Sequence, residues 1–225
     1  MSNEKHKLFY SLFFPTVFLL VIWTVSITEY ILGVHFVEYG LYPRSPYGAI
    51  GILTMPLIHA DFNHLFANSV PLFVLGTSLF YFYRSIALRV FILIYLFSNI
   101  WVWGMGREAY HIGASGLVYG LAAFLFVSGL IRREPRLMAI SMFVAFLYGS
   151  LIWGIFPELF PEKNISWEGH LMGIVAGVIF AIYFRKKGPQ KRRYSWEFEE
   201  ESEAENEDEE DPAYWKVPPG SDFKP

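Results

Sequence analysis

Six stretches of this chain run for 17 to 21 residues with almost no charged side chain: 8–28, 64–83, 88–106, 113–131, 137–157 and 168–184. A helix needs about 20 apolar residues to cross about 30 Å of hydrocarbon, so each stretch is adequate, the last being the shortest. The apolar residues fill every face of each stretch instead of alternating, which fits helices and excludes barrel strands. The expected fold class is an all-α membrane protein, a bundle of six transmembrane helices.

The connections give the orientation. Lys5 and Lys7 precede the first run, Arg84 and Arg89 bracket the turn into the third, and Arg132, Arg133 and Arg136 follow the fourth. Six basic residues from Arg185 to Arg193 follow the sixth, whereas the alternate connections hold only Arg44, Arg107 and Lys163. Basic residues gather on the cytoplasmic side, so both termini are expected there, in the plasma membrane. No cleavable signal peptide is expected, since Leu8–Thr28 is long enough to span and lacks a small-residue cleavage pattern; Pro15 lies near its start. The first external connection, 29–63, is far longer than a connector needs and is rich in apolar residues, so it is expected to lie on or partly in the outer leaflet.

Composition sharpens this picture in two places. With 54% hydrophobic and 19% aromatic residues, an ordinary soluble domain is excluded, and with no cysteine so are disulfides and thiolate metal sites. The net charge of −3 conceals a partition: residues 1–193 carry 16 basic and 9 acidic side chains, residues 194–225 carry 2 and 12. The chain therefore divides into a short cytoplasmic N-terminus (1–7), a membrane domain (8–187), and a basic anchor followed by an acidic tail (188–225). The acidic run from Glu197 to Asp211 cannot bury a core and is expected to be disordered.

Ionisable and polar groups at membrane depth are costly and mark function. Here they are His59, His64, Asn68, Ser115 and His170. Counting from each to the first cytoplasmic cation gives 17 residues for Ser115, 15 for His170 and 16 for Asn68. At 1.5 Å per residue these become roughly 22–26 Å, one common level just inside the outer boundary. His64 lies a turn above Asn68 on the same face. Gly116 and Gly120 on the fourth run, and Gly169, Gly173 and Gly177 on the sixth, form small-residue stripes that let two helix backbones approach closely.

That geometry suits nucleophilic chemistry. A serine hydroxyl needs a base, and His170 is the only histidine deep in a later run. Tyr119, one turn below Ser115, can pack on the imidazole. His64, Asn68 and the Ser115 N–H can donate to a developing oxyanion. Glu168, two positions from His170, points elsewhere, so a dyad is expected.

These residues resemble the rhomboid intramembrane serine proteases. Gly113-Ala114-Ser115-Gly116 is similar to that family's nucleophile motif. Tyr119 falls where the family has an aromatic residue under its histidine, and His170 with Gly173 and Gly177 resembles its sixth-helix pattern. The segment from His59 to Asn68 resembles its second-helix histidines and asparagine. The likeness spans roughly 8–185, although the family's first-loop Trp-Arg pair is missing and only Tyr42-Pro43-Arg44 stands near its place. It implies a peptide-bond hydrolase that cuts single-pass membrane proteins near the outer face, with catalytic Ser115 and His170. His64 and Asn68 would serve the oxyanion, and Tyr119, His59, Gly113, Gly116 and Gly173 would support them.

Three other readings compete. A catalytically silent relative would bind membrane proteins, but it would lack the serine, histidine or asparagine. A transporter would show inverted repeats, and none is evident. A metal site built on His59, Asp61 and His64 has no fourth ligand in view. No metal, cofactor or nucleic-acid partner is expected; the partners are substrate proteins and the lipid bilayer. Hydrolysis at this depth requires a polar cavity, expected to be lined by His59, His64, Asn68, Ser115 and His170. The fifth run, bulky throughout with Phe146 and Trp153, is the expected gate for substrate.

Overall fold

The computed structural model describes residues 2–147 and 166–188. Within them lie α1 (Ser2–Leu32), α2 (Gly51–Thr54), α3 (Phe62–Phe82), α4 (Ala87–Met105), α5 (Ser115–Arg132), α6 (Pro135–Leu147) and α7 (Trp167–Tyr183). Three short 3₁₀ turns flank α2 in the first long connection. Helices α1, α3, α4 and α5 are long and apolar enough to cross a membrane. α7 has 17 residues, about 26 Å of rise, and α6 is described over 13. The rest of the expected fifth span, including Trp153, lies outside the described residues, as does the acidic tail.

α1 is a correction to the boundary read from apolarity. It begins at Ser2 and ends at Leu32, whereas the charge-free run covers 8–28. Charges mark where a helix leaves hydrocarbon, not where its hydrogen bonding stops. Pro15 sits inside the helix and seats on α3, where a Cβ added to Gly76 would lie 3.1 Å from the Pro15 ring. Trp23 of α1 donates its indole N–H to Ser69 of α3 at 3.0 Å.

α5 is central and packs against α3, α4, α6 and α7. Leu72, Leu75 and Leu79 of α3, Ile94 of α4, Leu117, Leu121 and Phe124 of α5 and Ala176 of α7 are fully or almost fully buried in one cluster. Large apolar residues remain exposed on the outside, among them Phe9, Phe13 and Leu20 of α1 and Phe146 of α6. That inversion is what lipid requires of a surface.

The α5–α7 contact is built on glycine. A Cβ on Gly173 would collide with the Gly116 carbonyl, and one on Gly177 with the Gly120 carbonyl. Backbone meets backbone here because no side chain intervenes. At the opposite end Arg132, expected as a membrane-edge cation, is only 6% exposed. It donates to the Phe184 and Lys187 carbonyls at 2.7 Å each and lies 5.2 Å over the Tyr83 ring. Arg132 thus caps the carbonyl end of α7 and ties it to α5, a placement that satisfies both the charge and the helix terminus.

The first long connection is hydrogen-bonded to its neighbours at several points. Leu41 pairs with His111 through two backbone hydrogen bonds of 3.0 and 2.8 Å. Gly51 lies against the Leu41 backbone, closer than any Cβ would permit. Asn99 and Tyr95 of α4 donate to the Ile52 and Leu53 carbonyls, and Trp103 donates to the Ser45 carbonyl at 3.0 Å. Arg44 adopts a left-handed backbone (φ 57°) and donates to the Gly106 carbonyl at 2.7 Å. One face of the connection is thereby fastened to α4 and to the entry of α5. Tyr47, Ile50 and Leu53 stay exposed on the other.

Candidate active site

The turn into α5 dictates where Ser115 stands. Gly113 has φ +107°, a conformation that L side chains avoid, and a Cβ there would lie 2.6 Å from the His64 ring. Its N–H donates to the Met55 carbonyl at 2.9 Å, which fixes the turn on the first connection. Ser115 is then the first residue of α5, partly open to its surroundings, with its backbone N–H among those a helix start leaves unused by the helix.

α7 brings the histidine. Ser166 caps the helix by accepting from Gly169 N–H, and the glycine contact lets His170 descend beside Ser115. His170 Nε2 lies 2.9 Å from Ser115 Oγ. Tyr119 stacks on the imidazole with ring centroids 4.1 Å apart and planes 12° from parallel. Both rings are about 95% buried. The stack restricts rotation of the imidazole and presents Nε2 to the hydroxyl.

The α3 residues approach from the other side. Asp61 caps α3 by accepting the His64 N–H at 2.8 Å. His64 stands against Gly113, two residues before Ser115. Asn68 donates one amide proton to the His64 carbonyl at 3.2 Å, so it is tied to His64 along the same face. His59 accepts the Ala114 N–H on Nε2 at 3.4 Å and meets the His64 ring edge to face at 5.1 Å. Burial, then the neighbouring His64, push its pKa down to about 3, against weaker pulls from Leu57 and Asp61. His59 is therefore a neutral brace for the turn that carries Ser115.

A second layer was not visible in the sequence. Glu168 does point away from His170; it pairs with Arg107 at 3.2 Å and accepts the Arg107 N–H at 3.4 Å. His111, 1% exposed, holds Ser166 at 2.6 Å and the Arg107 carbonyl at 3.1 Å. A carbonyl can only accept, so Nε2 carries the proton and Nδ1 accepts from the Ser166 hydroxyl. Burial holds this imidazole below the usual histidine range. The α4–α5 connection is thus clamped to the start of α7. His111 stood in plain view beside the nucleophile motif, but nothing in one sequence pairs it with a serine 55 positions later.

A space of about 350 Å³ borders His59; its other walls come from the outer end of α1, the first connection and Phe62 at the start of α3.

Fold and site together define an all-helical integral membrane protein whose central helices hold a serine against a histidine. A family model described as a rhomboid domain matches residues 47–187. The chain belongs to the rhomboid family. It is 34% identical over 170 residues to an uncharacterised protein of Mycobacterium tuberculosis, covering 73% of this chain and 71% of that one. It is 29% identical over 186 residues to Bacillus subtilis YdcA, which is named as a candidate rhomboid protease, covering 78% and 81%. A protein of Acanthamoeba polyphaga mimivirus, named as a candidate rhomboid protein, shares 26% identity over 147 residues, covering 60% of this chain and 75% of that one.

Proposed function

We propose that this protein is an intramembrane serine endopeptidase that cuts single-pass transmembrane proteins near the outer face of the plasma membrane, both of its own termini being cytoplasmic. The observation that carries this is the 2.9 Å approach of His170 Nε2 to Ser115 Oγ beneath the Tyr119 stack. Ser115 Oγ attacks the scissile carbonyl carbon while His170 takes its proton. The carbon–nitrogen bond then breaks, and His170 returns the proton to the departing amine. Water attacks the acyl-enzyme by the same route in reverse, releasing a carboxylic acid and restoring Ser115. The Ser115 N–H, His64 and Asn68 hold the negative oxygen in each tetrahedral step.

The oxyanion assignment is tested by turnover. Asn68→Ala and His64→Ala should each lower kcat by about 10²–10³ with little change in KM, because the contact strengthens in the transition state. An unchanged kcat in the double variant would remove both residues from that role.

Substrate enters across α6, whose Phe146 is 80% exposed, while α3, α5 and α7 hold the site together. Phe146→Ala should raise cleavage of a membrane substrate more than hydrolysis of a small soluble ester. The reverse ordering would place the entry elsewhere.

A further inference from the structure

The 350 Å³ cavity beside His59 lies where the outer end of α1 meets the first connection and the start of α3. Ser26, Glu29, Val34, His35, His59 and Asp61 are among its walls. Two of these are buried polar groups without a partner. Ser26 is 8% exposed and its hydroxyl reaches no hydrogen-bond partner; His59 is 5% exposed and its Nδ1 reaches none either. Because Nε2 of His59 accepts the Ala114 N–H, the ring proton sits on Nδ1, where the nearby Leu57 carbonyl is not placed to close a hydrogen bond and leaves room for a water acceptor. Native proteins satisfy such groups with water, and the cavity has room for several molecules at about 30 Å³ each. Glu29, His35 and Asp61 make the rim polar at the end of α1 that faces outward in the orientation set by the basic residues.

We propose that this cavity is the water inlet of the catalytic centre. Water collects on Ser26 and His59 and reaches Ser115 past His59, whose opposite nitrogen already touches the turn bearing the nucleophile. Polypeptide enters across α6 and water enters between α1 and α3, so the two reactants do not compete for one opening. The inference rests on the protease reading and adds the source of its second substrate.

The two half-reactions then separate. Acylation forms the Ser115 Oγ–carbon bond, expels the leaving group and consumes no water. Deacylation does consume it. Water oxygen attacks the acyl carbon, His170 takes the water proton, the Oγ–carbon bond breaks, and Oγ recovers the proton from His170. Blocking the inlet should slow only the second half.

Val34→Trp and Ser26→Leu fill the cavity without touching the catalytic groups. In the full chain reconstituted in lipid vesicles, a fluorophosphonate probe should label Ser115 in both variants at close to the unsubstituted rate, since that reaction needs no water. With a p-nitrophenyl ester, both should show a burst of nitrophenol followed by a steady rate about tenfold lower. An unchanged steady rate would overturn the inlet, and so would labelling and turnover falling together. Failure of the unsubstituted protein to label at Ser115 is a different result, and it would overturn the protease reading itself.

Discussion

With Ser115 replaced by Ala, cleavage of a single-pass membrane substrate falls to background, and His170→Ala does the same. In a nucleophile–base pair that acts as a unit, losing either member costs on the order of 10⁶ in kcat, and losing both costs little more. The fold should survive both changes. The Ser115 hydroxyl is small and partly open, and the α5–α7 contact is made by glycine backbones, so neither substitution disturbs it. Both variants are expected to insert; Ser115→Ala should unfold within about 1 kcal/mol of the unsubstituted protein, and His170→Ala should lose about 2 kcal/mol or more because it empties the place of a buried ring beside Tyr119. Undiminished cleavage by either variant, measured in vesicles on the intact chain, would remove the pair from the mechanism.

Gly173→Val is expected to be as damaging to activity although the residue performs no chemistry. A Cβ at this position would run into the Gly116 carbonyl, one residue from the nucleophile. Overpacking of this kind costs about 1–3 kcal/mol and is relieved only if α5 and α7 move apart. The 2.9 Å contact between Ser115 and His170 has no slack for that movement. A misplacement of about 1 Å costs roughly 10²-fold in rate, so proteolysis should fall by at least that much while much of the fold remains. Gly104→Ala on α4 is the control, because a Cβ there meets nothing within 4 Å, and it should leave activity unchanged. Should Gly173→Val cleave at the unsubstituted rate, the glycine stripe does not position the histidine.

The structure shows which of these features a single sequence can carry. Helices were legible because hydrocarbon demands long uncharged runs, and the meeting of Ser115 with His170 was legible because helical rise converts spacing into height. Tyr119 followed from the same periodicity. Helix ends were not legible, as α1 shows: the charges Glu4, Lys5 and Lys7 fit a helix outside the membrane as well as a coil. The clamp of Arg107 and His111 on Glu168 and Ser166 was also hidden, since it joins the α4–α5 connection to the start of α7 by side chains with no shared periodicity. The capping role of Arg132 was hidden for a related reason: only the packed Tyr83 ring and the Phe184 carbonyl reveal this cation as a buried cap. The cavity beside His59 escaped because its walls come from the end of α1 and the first connection as well as from the start of α3, and neither of the first two carries a residue of the nucleophile motif.

The most direct measurement of the central claim is covalent labelling of the purified, lipid-reconstituted protein by a fluorophosphonate, followed by identification of the modified residue. Stoichiometric modification of Ser115, lost in Ser115→Ala and strongly slowed in His170→Ala, is the expected result. Absence of labelling, or labelling that persists in Ser115→Ala, would contradict it and leave a rhomboid fold that binds membrane proteins without cutting them.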